Sequence, residues 1–291
     1  MSNPDFSVII PAYNCAEFVG RAIRSALEQT LQPLEILVVD DGSKDDTARV
    51  VSEFPAPVRL IRQANGGPSS ARNRAAREAR GEWLAFLDAD DLWRPEKLER
   101  QATMTGPEDV GVVQAQVPGF TFNKVESIGF ERLWESNCVA TSTAVIRKTA
   151  FEQAGGFPED LRWSEDYYLW MRVAALGWRI LIYPEDLIEY CPPANSLTQN
   201  IEKFALAEIR CIEKMGRERK LGEAVIRRRK IETYEFHGRS LVFRRDMAGA
   251  RRLLSEGVRK ERSTRLLLYR LAASRAGEFM LNLRRRAGGE S

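Results

Sequence analysis

Trp83, Leu84, Ala85, Phe86 and Leu87 form an unbroken apolar run, and Asp88, Asp90 and Asp91 follow it at once. The run reads as a strand buried on both faces. Carboxylates this close repel one another, so the arrangement requires a cation, donor hydrogen bonds or open water nearby. With no Cys or His beside them, the oxygen ligands suit Mg2+ or Mn2+ better than zinc. A solvated acidic turn, with an aspartate capping a helix that begins near Pro95, serves an isolated D-A-D triplet equally well. The rest of the chain must decide between the two.

A second strand ends in the same way. FSVIIP at 6–11 reads as a first short strand, after which Val19, Ile23, Ala26 and Leu27 recur at helical spacing. LEILVV at 34–39 is a second buried strand, and it runs into Asp40 and Asp41 before a helix expected from about Thr47. A third strand over 58–61 precedes NGGPSSARNRAAREARG, where Pro68 suits a first helical turn and sets Arg72 in the first or second turn. WLAFL supplies the fourth strand and 110–117 the fifth. Strands alternating with helices predict a mostly parallel, doubly wound sheet that binds its ligands beyond the carboxyl ends of the strands. Asp40, Asp88 and Asp90 fall at that edge, as does Arg72 on a helix N-terminus that favours anions. Two acids, a divalent ion and this arginine would make a diphosphate site. Neither G-x-G-x-x-G after the first strand nor G-x-x-x-x-G-K-[ST] occurs, which supports neither a Rossmann dehydrogenase nor a P-loop NTPase.

The aromatic stretch 119–135, with Phe120, Phe122, Phe130 and Trp134, reads equally as a lid or as a packed loop. A strand over 141–146, a short helix over 148–154 and a break at Gly155 and Gly156 come next. Leu169, Trp170, Val173, Ala174 and Leu176 have helical spacing and set Glu165 and Asp166 at the N-terminal end of that helix. Interaction with the helix dipole alone would account for two acids there. An edge strand over 179–183 closes this half.

Charge divides the chain at about the same place. From residue 200 onward there are 24 lysines and arginines against 12 acids, a balance of +12, whereas residues 1–199 carry 20 against 29, or −9. The alternation of strands and helices also stops near 195–200, which predicts an acidic α/β domain over 1–199 and a basic helical extension over 200–291. The N-terminus has no basic and apolar leader, and no run of 18 apolar residues occurs, so the expectation is a cytoplasmic protein or one held peripherally at a membrane. Cys15, Cys138, Cys191 and Cys211 show no metal or disulfide spacing and read as reduced thiols, Cys15 lying near the expected site.

Four blocks in order then carry a resemblance: FSVIIPAYN, LEILVVDDGSKDDT, NGGPSSARNRAAREARGEWLAFLDADD, and AFEQAGGFPED followed by SEDYYLWMRVAALG. Over residues 5 to 198 the chain resembles the family 2 glycosyltransferases of the GT-A fold, which move a sugar from a nucleotide diphosphate donor. The resemblance implies an open, mostly parallel doubly wound sheet of GT-A type with a C-terminal helical extension. By position, Pro11, Tyr13 and Asp40 match residues that hold the nucleobase and ribose, with Asp41 beside them. Arg72 matches a basic residue near the donor's uridine or phosphates. Asp88 and Asp90 flank Ala89 as the D-x-D pair; Asp90 is then the more direct ligand of Mn2+ or Mg2+, and Asp88 and Ala89 lie nearer the ribose. Asp166 matches the catalytic base, with Glu165 as its substitute. The family's Tyr-Arg-x-His-x-x-Ser pattern is replaced by YCPPANS, so Cys191 and Pro193 stand where Arg and His would.

The reaction this implies is an inverting transfer from a UDP-sugar to a hydroxyl of a glycan or lipid-linked acceptor. Three other readings are weighed against it. A sugar-nucleotide nucleotidyltransferase would need a glycine-rich basic loop after the first strand, and PAYNCAEF lacks one. A glycosidase would use paired carboxylates without a nucleotide site. A non-catalytic sugar-nucleotide binder fits the loss at Cys191 and Pro193 but not the retention of every acid. For the extension, the apolar residues Leu266, Leu267, Leu268, Leu271, Phe279, Leu281 and Leu283 amid arginines predict attachment to an anionic membrane surface. A homodimer surface is the alternative, and no nucleic-acid recognition motif accompanies the charge. His237, the one histidine, reads as an ordinary surface or packing residue.

Overall fold

The computed structural model describes residues 4–117, 120–191 and 200–273. The chain forms two compact units, one of Met1–Asp160 with Glu165–Asn195, the other of Leu161–Ser164 with Ser196–Ser291.

The first unit alternates strands and helices: β1 (Phe6–Ala12), α1 (Val19–Leu27), β2 (Glu35–Asp40), α2 (Thr47–Ser52), β3 (Val58–Arg62), α3 (Pro68–Glu78) and β4 (Trp83–Phe86). There follow β5 (Leu92–Trp93), α4 (Lys97–Ala102), β6 (Val110–Gln114), β7 (Glu126–Ile128) and α5 (Phe130–Glu135). A 3-10 turn (Thr141–Thr143) leads into β8 (Ala144–Arg147), α6 (Lys148–Gln153), α7 (Glu165–Ala175), β9 (Arg179–Ile182) and β10 (Ile188–Glu189).

Eight strands make one sheet in the order β3-β2-β1-β4-β8-β6-β9-β7. β3, β2, β1 and β4 run parallel, β8 runs against both β4 and β6, β9 follows β6, and β7 closes the edge antiparallel to β9. The sheet is therefore mixed but mostly parallel, as expected. β2 and β4 are buried along their whole length, which is why their sequences are continuous apolar runs rather than alternating ones. α3 lies on β1 and β2 through the small residues Ala71, Ala75 and Ala76, which allow close approach to the sheet.

Three local expectations are corrected. Residues 141–143 turn as a 3-10 helix before β8 begins, because Thr143 Oγ1 and N–H both bond back to the Ala140 carbonyl instead of entering the ladder. β9 is not the edge strand, because β7 from the aromatic stretch pairs outside it. That stretch is thus built into the sheet and into α5, whose Phe130 and Trp134 rings stack at 5.9 Å.

The second unit contains α8 (Ile201–Glu218), α9 (Glu223–Phe243), α10 (Met247–Glu261) and α11 (Thr264–Ala272). Its core joins Ile209, Tyr234, Leu241, Leu253, Leu254 and Leu266. α8, α10 and α11 begin with side-chain caps from Asn200, Asp246 and Ser263, each accepting a backbone N–H in the first turn. His237 proves to be a packing residue: it is buried, with Nε2 2.7 Å from Glu208 Oε2, and Glu208 also receives Arg229 at 2.9 Å. Among the described residues no helix is long and apolar enough to cross a membrane.

Candidate active site

β1 and β2 pair in parallel with Ala12 opposite Asp40, so the loops that follow them emerge side by side. Those loops are stitched together by backbone groups. Asn14 N–H donates to Ser43 Oγ, Cys15 N–H to Thr47 Oγ1 and Ala16 N–H to Asp45, while Lys44 N–H returns to Asn14 Oδ1. This holds the half-exposed Tyr13 ring and the partly buried Pro11 beside the end of β2. Asp40 is buried there. Its Oδ1 accepts Ser43 N–H at 2.9 Å, but Oδ2 has no hydrogen bond, the Arg62 Nε at 3.4 Å being the nearest charge. A buried carboxylate oxygen without a donor is costly, and a bound N–H would relieve it.

Asp41 is turned the other way. Its two oxygens accept from Gln63 Nε2 and from Gly66 and Gly67 N–H at 2.7 to 2.8 Å, which fixes the turn that starts α3. Gly42 makes this possible, because its φ is +75° and a Cβ there would lie 2.9 Å from the Asn65 nitrogen. α3 then carries Arg72 inward from its second turn.

The buried Arg72 guanidinium joins two groups of acids that lie far apart in sequence. Nη2 is 2.6 Å from Asp88 Oδ1, Nη1 is 3.2 Å from Glu165 Oε1, and the Phe157 ring stacks on it at 5.1 Å. These carboxylates hold it firmly protonated although burial opposes its charge. The D-x-D acids and the acids at the start of α7 therefore share one site.

Within that site the carboxylates differ. Burial, with the Asp88 charge beside it, raises Asp90, and no described ion pair reaches it. Burial likewise pushes Asp91 up to about 7. Asp91 is tied to the segment after β10: its Oδ1 accepts the Cys191 backbone N–H at 3.3 Å, and Ser142 also bonds it. Asp166 is pushed up to about 7 by burial and by the neighbouring Glu165, against the Tyr167 N–H it accepts at 2.7 Å. Of the two acids that open α7, Glu165 is occupied by Arg72, whereas Asp166 accepts the Tyr167 N–H.

Among the described residues no three His, Cys, Asp or Glu side chains converge as a complete metal site. Asp88 and Asp90 nevertheless fit a hard divalent ion, because among the described residues no ion pair reaches Asp90 and both offer only oxygen. A donor diphosphate would complete the ligand set.

Ser142 escaped the sequence reading. Its Oγ accepts Asp88 N–H at 3.1 Å, and its carbonyl accepts Trp93 Nε1 at 2.9 Å, so the 3-10 turn anchors the acidic turn from below. Nothing in T-S-T distinguishes that role, since it depends on β8 pairing beside β4. Ala89 is buried between the two aspartates. Cys15 lies in the β1 loop, and burial pushes its thiol up to about 11. Cys191 ends the described part of this unit, and Pro193 lies outside the described residues.

Residues 7–153 match the model of glycosyl transferase family 2. The succinoglycan biosynthesis protein ExoO of Rhizobium meliloti is 36% identical over 204 residues, which cover 62% of this chain and 59% of that one. Among solved structures, S. aureus TarS 1-349 in complex with UDP-GlcNAc superposes with a TM-score of 0.66 at 20% identity, covering 90% of this chain and 82% of that one. The mannosyltransferase PcManGT of Pyrobaculum calidifontis, in complex with GDP-Man and Mn2+, gives 0.65 at 20% identity, covering 94% and 85%. These two likenesses establish the fold, which is that of GT-A glycosyltransferases. With the family model matching half of its length, and with Asp88 of the third block and Glu165 of the fourth joined by Arg72, this chain belongs to glycosyl transferase family 2.

Proposed function

We propose that this glycosyltransferase transfers a sugar from a UDP-sugar to a hydroxyl of a glycan or lipid-linked acceptor, with inversion at the anomeric carbon. In this reading residues 1–199 carry catalysis and 200–291 form a basic helical extension. One observation supports the proposal: Arg72 joins Asp88 at 2.6 Å and Glu165 at 3.2 Å, so one guanidinium ties the D-x-D acid to the residue next to Asp166.

Tyr13 and Pro11 flank the base, the free Oδ2 of Asp40 accepts its N–H, and Asp41 keeps the start of α3 in place. Asp88 and Ala89 lie along the ribose. A divalent ion, Mn2+ or Mg2+, held by Asp90 and Asp88 would neutralise the charge that grows on the departing diphosphate. Arg72 adds a fixed positive charge at the same place, of most value where charge develops. Asp166 accepts the proton of the acceptor hydroxyl as its oxygen bonds to the anomeric carbon and the bond to the diphosphate oxygen breaks. A carboxylate near 7 is well matched to that transfer at neutral pH. Glu165 keeps Arg72 in line.

ExoO's role in succinoglycan biosynthesis supports a polysaccharide pathway for this chain as well. The balance of +12 beyond residue 200 supports a cytoplasmic enzyme held at an anionic membrane surface. The test is a donor screen by mass spectrometry, with UDP- and GDP-sugars, with and without Mn2+. Release of UDP that needs metal and rises with acceptor supports the reading. Binding of donors without any release would make the chain a sugar-nucleotide binder instead.

A further inference from the structure

α9 has one face that the second unit does not cover. At 100° per residue, Val225, Phe236 and Phe243 fall within about 20° of one another along roughly 27 Å of helix. They are 46%, 70% and 90% exposed. Phenylalanine leaves water so readily that two of them nearly bare on one face call for a partner. Arg228 and Arg239 flank them within about 80° on one side, and both are exposed, with Arg239 3.8 Å from Glu235. Glu232, the acid on this face, is 3.0 Å from Arg228 and is neutralised by it. α11 is fixed beside the same turn, because Arg265 and Tyr269 both bond Glu235, at 2.6 and 2.7 Å, next to Phe236. Leu268 and Leu271 of α11 are exposed as well. Leu266, by contrast, is fully buried and cannot contribute.

We propose that this face of α9 docks onto an anionic lipid bilayer, Phe236 and Phe243 entering the headgroup boundary while Arg228 and Arg239 lie on lipid phosphates. The inference rests on the reading above that the second unit meets anionic lipid, and it names the surface. Charge complementarity selects the occupant. The unit is strongly basic, and a second copy laid face to face would bring the same arginines against each other. Exposed aromatic residues interleaved with arginines are instead the composition of an interfacial helix.

The experiment is co-sedimentation of the full chain with vesicles of phosphatidylglycerol and phosphatidylcholine, and with phosphatidylcholine alone. Three proteins are compared: wild type, Phe236→Ser with Phe243→Ser, and Arg228→Gln with Arg239→Gln. Wild type should bind the anionic vesicles and lose binding as salt rises. The phenylalanine variant should lower the partition coefficient at least tenfold, and each arginine should account for about fivefold. Melting temperature and UDP affinity should stay at wild-type values, since the changed residues lie on the surface. Wild type that ignores anionic vesicles would remove the membrane reading itself, and this proposal with it. Wild type that binds while both variants bind equally would overturn the α9 assignment alone. Loss of a dimer in the phenylalanine variant, without vesicle binding by wild type, would give the face to a second copy of the chain.

Discussion

Replacing Asp166 by asparagine should make the protein more stable and far less active, and the two effects have separable physical origins. Burial and the Glu165 charge raise this carboxyl from an ordinary 3.8 to about 7. A carboxyl raised in the folded state favours folding in its neutral form, so its contribution is complete below about pH 4 and is lost as pH rises through 7. The rise from 3.8 to about 7, at about 1.36 kcal/mol per tenfold change in proton affinity, sets an upper limit of ~4 kcal/mol on the cost of keeping Asp166 ionised at about pH 8. Allowing for its partial exposure, about 2 to 4 kcal/mol is the expected gain on substitution. Asparagine avoids that cost and still accepts the Tyr167 N–H. Its melting temperature should exceed that of wild type by several degrees at about pH 8 and match it at about pH 4. A helix-start acid would behave in the opposite way, losing roughly 0.3 to 1 kcal/mol when its charge is removed. The sign of the change therefore decides between the two roles. Sugar transfer should fall about 10² to 10⁴-fold while UDP affinity survives. Thermal unfolding by circular dichroism across this pH range, with transfer assays on the same samples, makes the measurement. A less stable asparagine variant at about pH 8 would refute the argument from burial, and normal turnover would remove Asp166 from the mechanism.

In wild type, turnover should rise with pH to a plateau above about 7, as Asp166 ionises, and a pH-rate profile flat from about pH 5 upward would contradict this. Arg72→Met should cost about 3 to 5 kcal/mol of stability, because two acids lose their buried partner. Arg72→Lys should recover only part of that, since one ammonium cannot serve Asp88 and Glu165 as the planar fork does. Equal denaturation midpoints for both variants and wild type would count against the bridge. Asp90→Ala should abolish the Mn2+-dependent part of UDP binding in calorimetry, and EDTA should do the same to wild type. Ser142→Ala should weaken that metal-dependent binding roughly tenfold or more through the turn it anchors, whereas unchanged titrations would deny it a positioning role.

The parallel half of the sheet was legible because β1, β2 and β4 are buried on both faces and so appear as continuous apolar runs. The acids could be placed for the same reason: a parallel sheet puts all its strand ends at one edge. β7 was hidden because a strand of three residues, ESI, has too little length to display an alternation. α9, the longest helix among the described residues, was hidden because it buries Arg229, Glu235 and His237 through side-chain pairing, which leaves no apolar stripe to read. Arg72 could be assigned to the site from its helix, but not its bridging of Asp88 and Glu165, since that depends on α7 returning to the same edge. The reversal of Asp41 into the turn before α3 was equally out of reach, because the sequence shows two adjacent acids and not which way each points.

Asp91 reaches the segment after β10 through the amide of residue 191 and not through its side chain. A main-chain donor is present in every amino acid but proline. Position 191 can therefore exchange arginine for cysteine, or for nearly anything else, without cutting the tie to the acidic turn. The scaffold beneath the D-x-D carboxylates is in this way insulated from drift at a position whose side chain is free to be retuned. Proline is the one residue that this position should not tolerate.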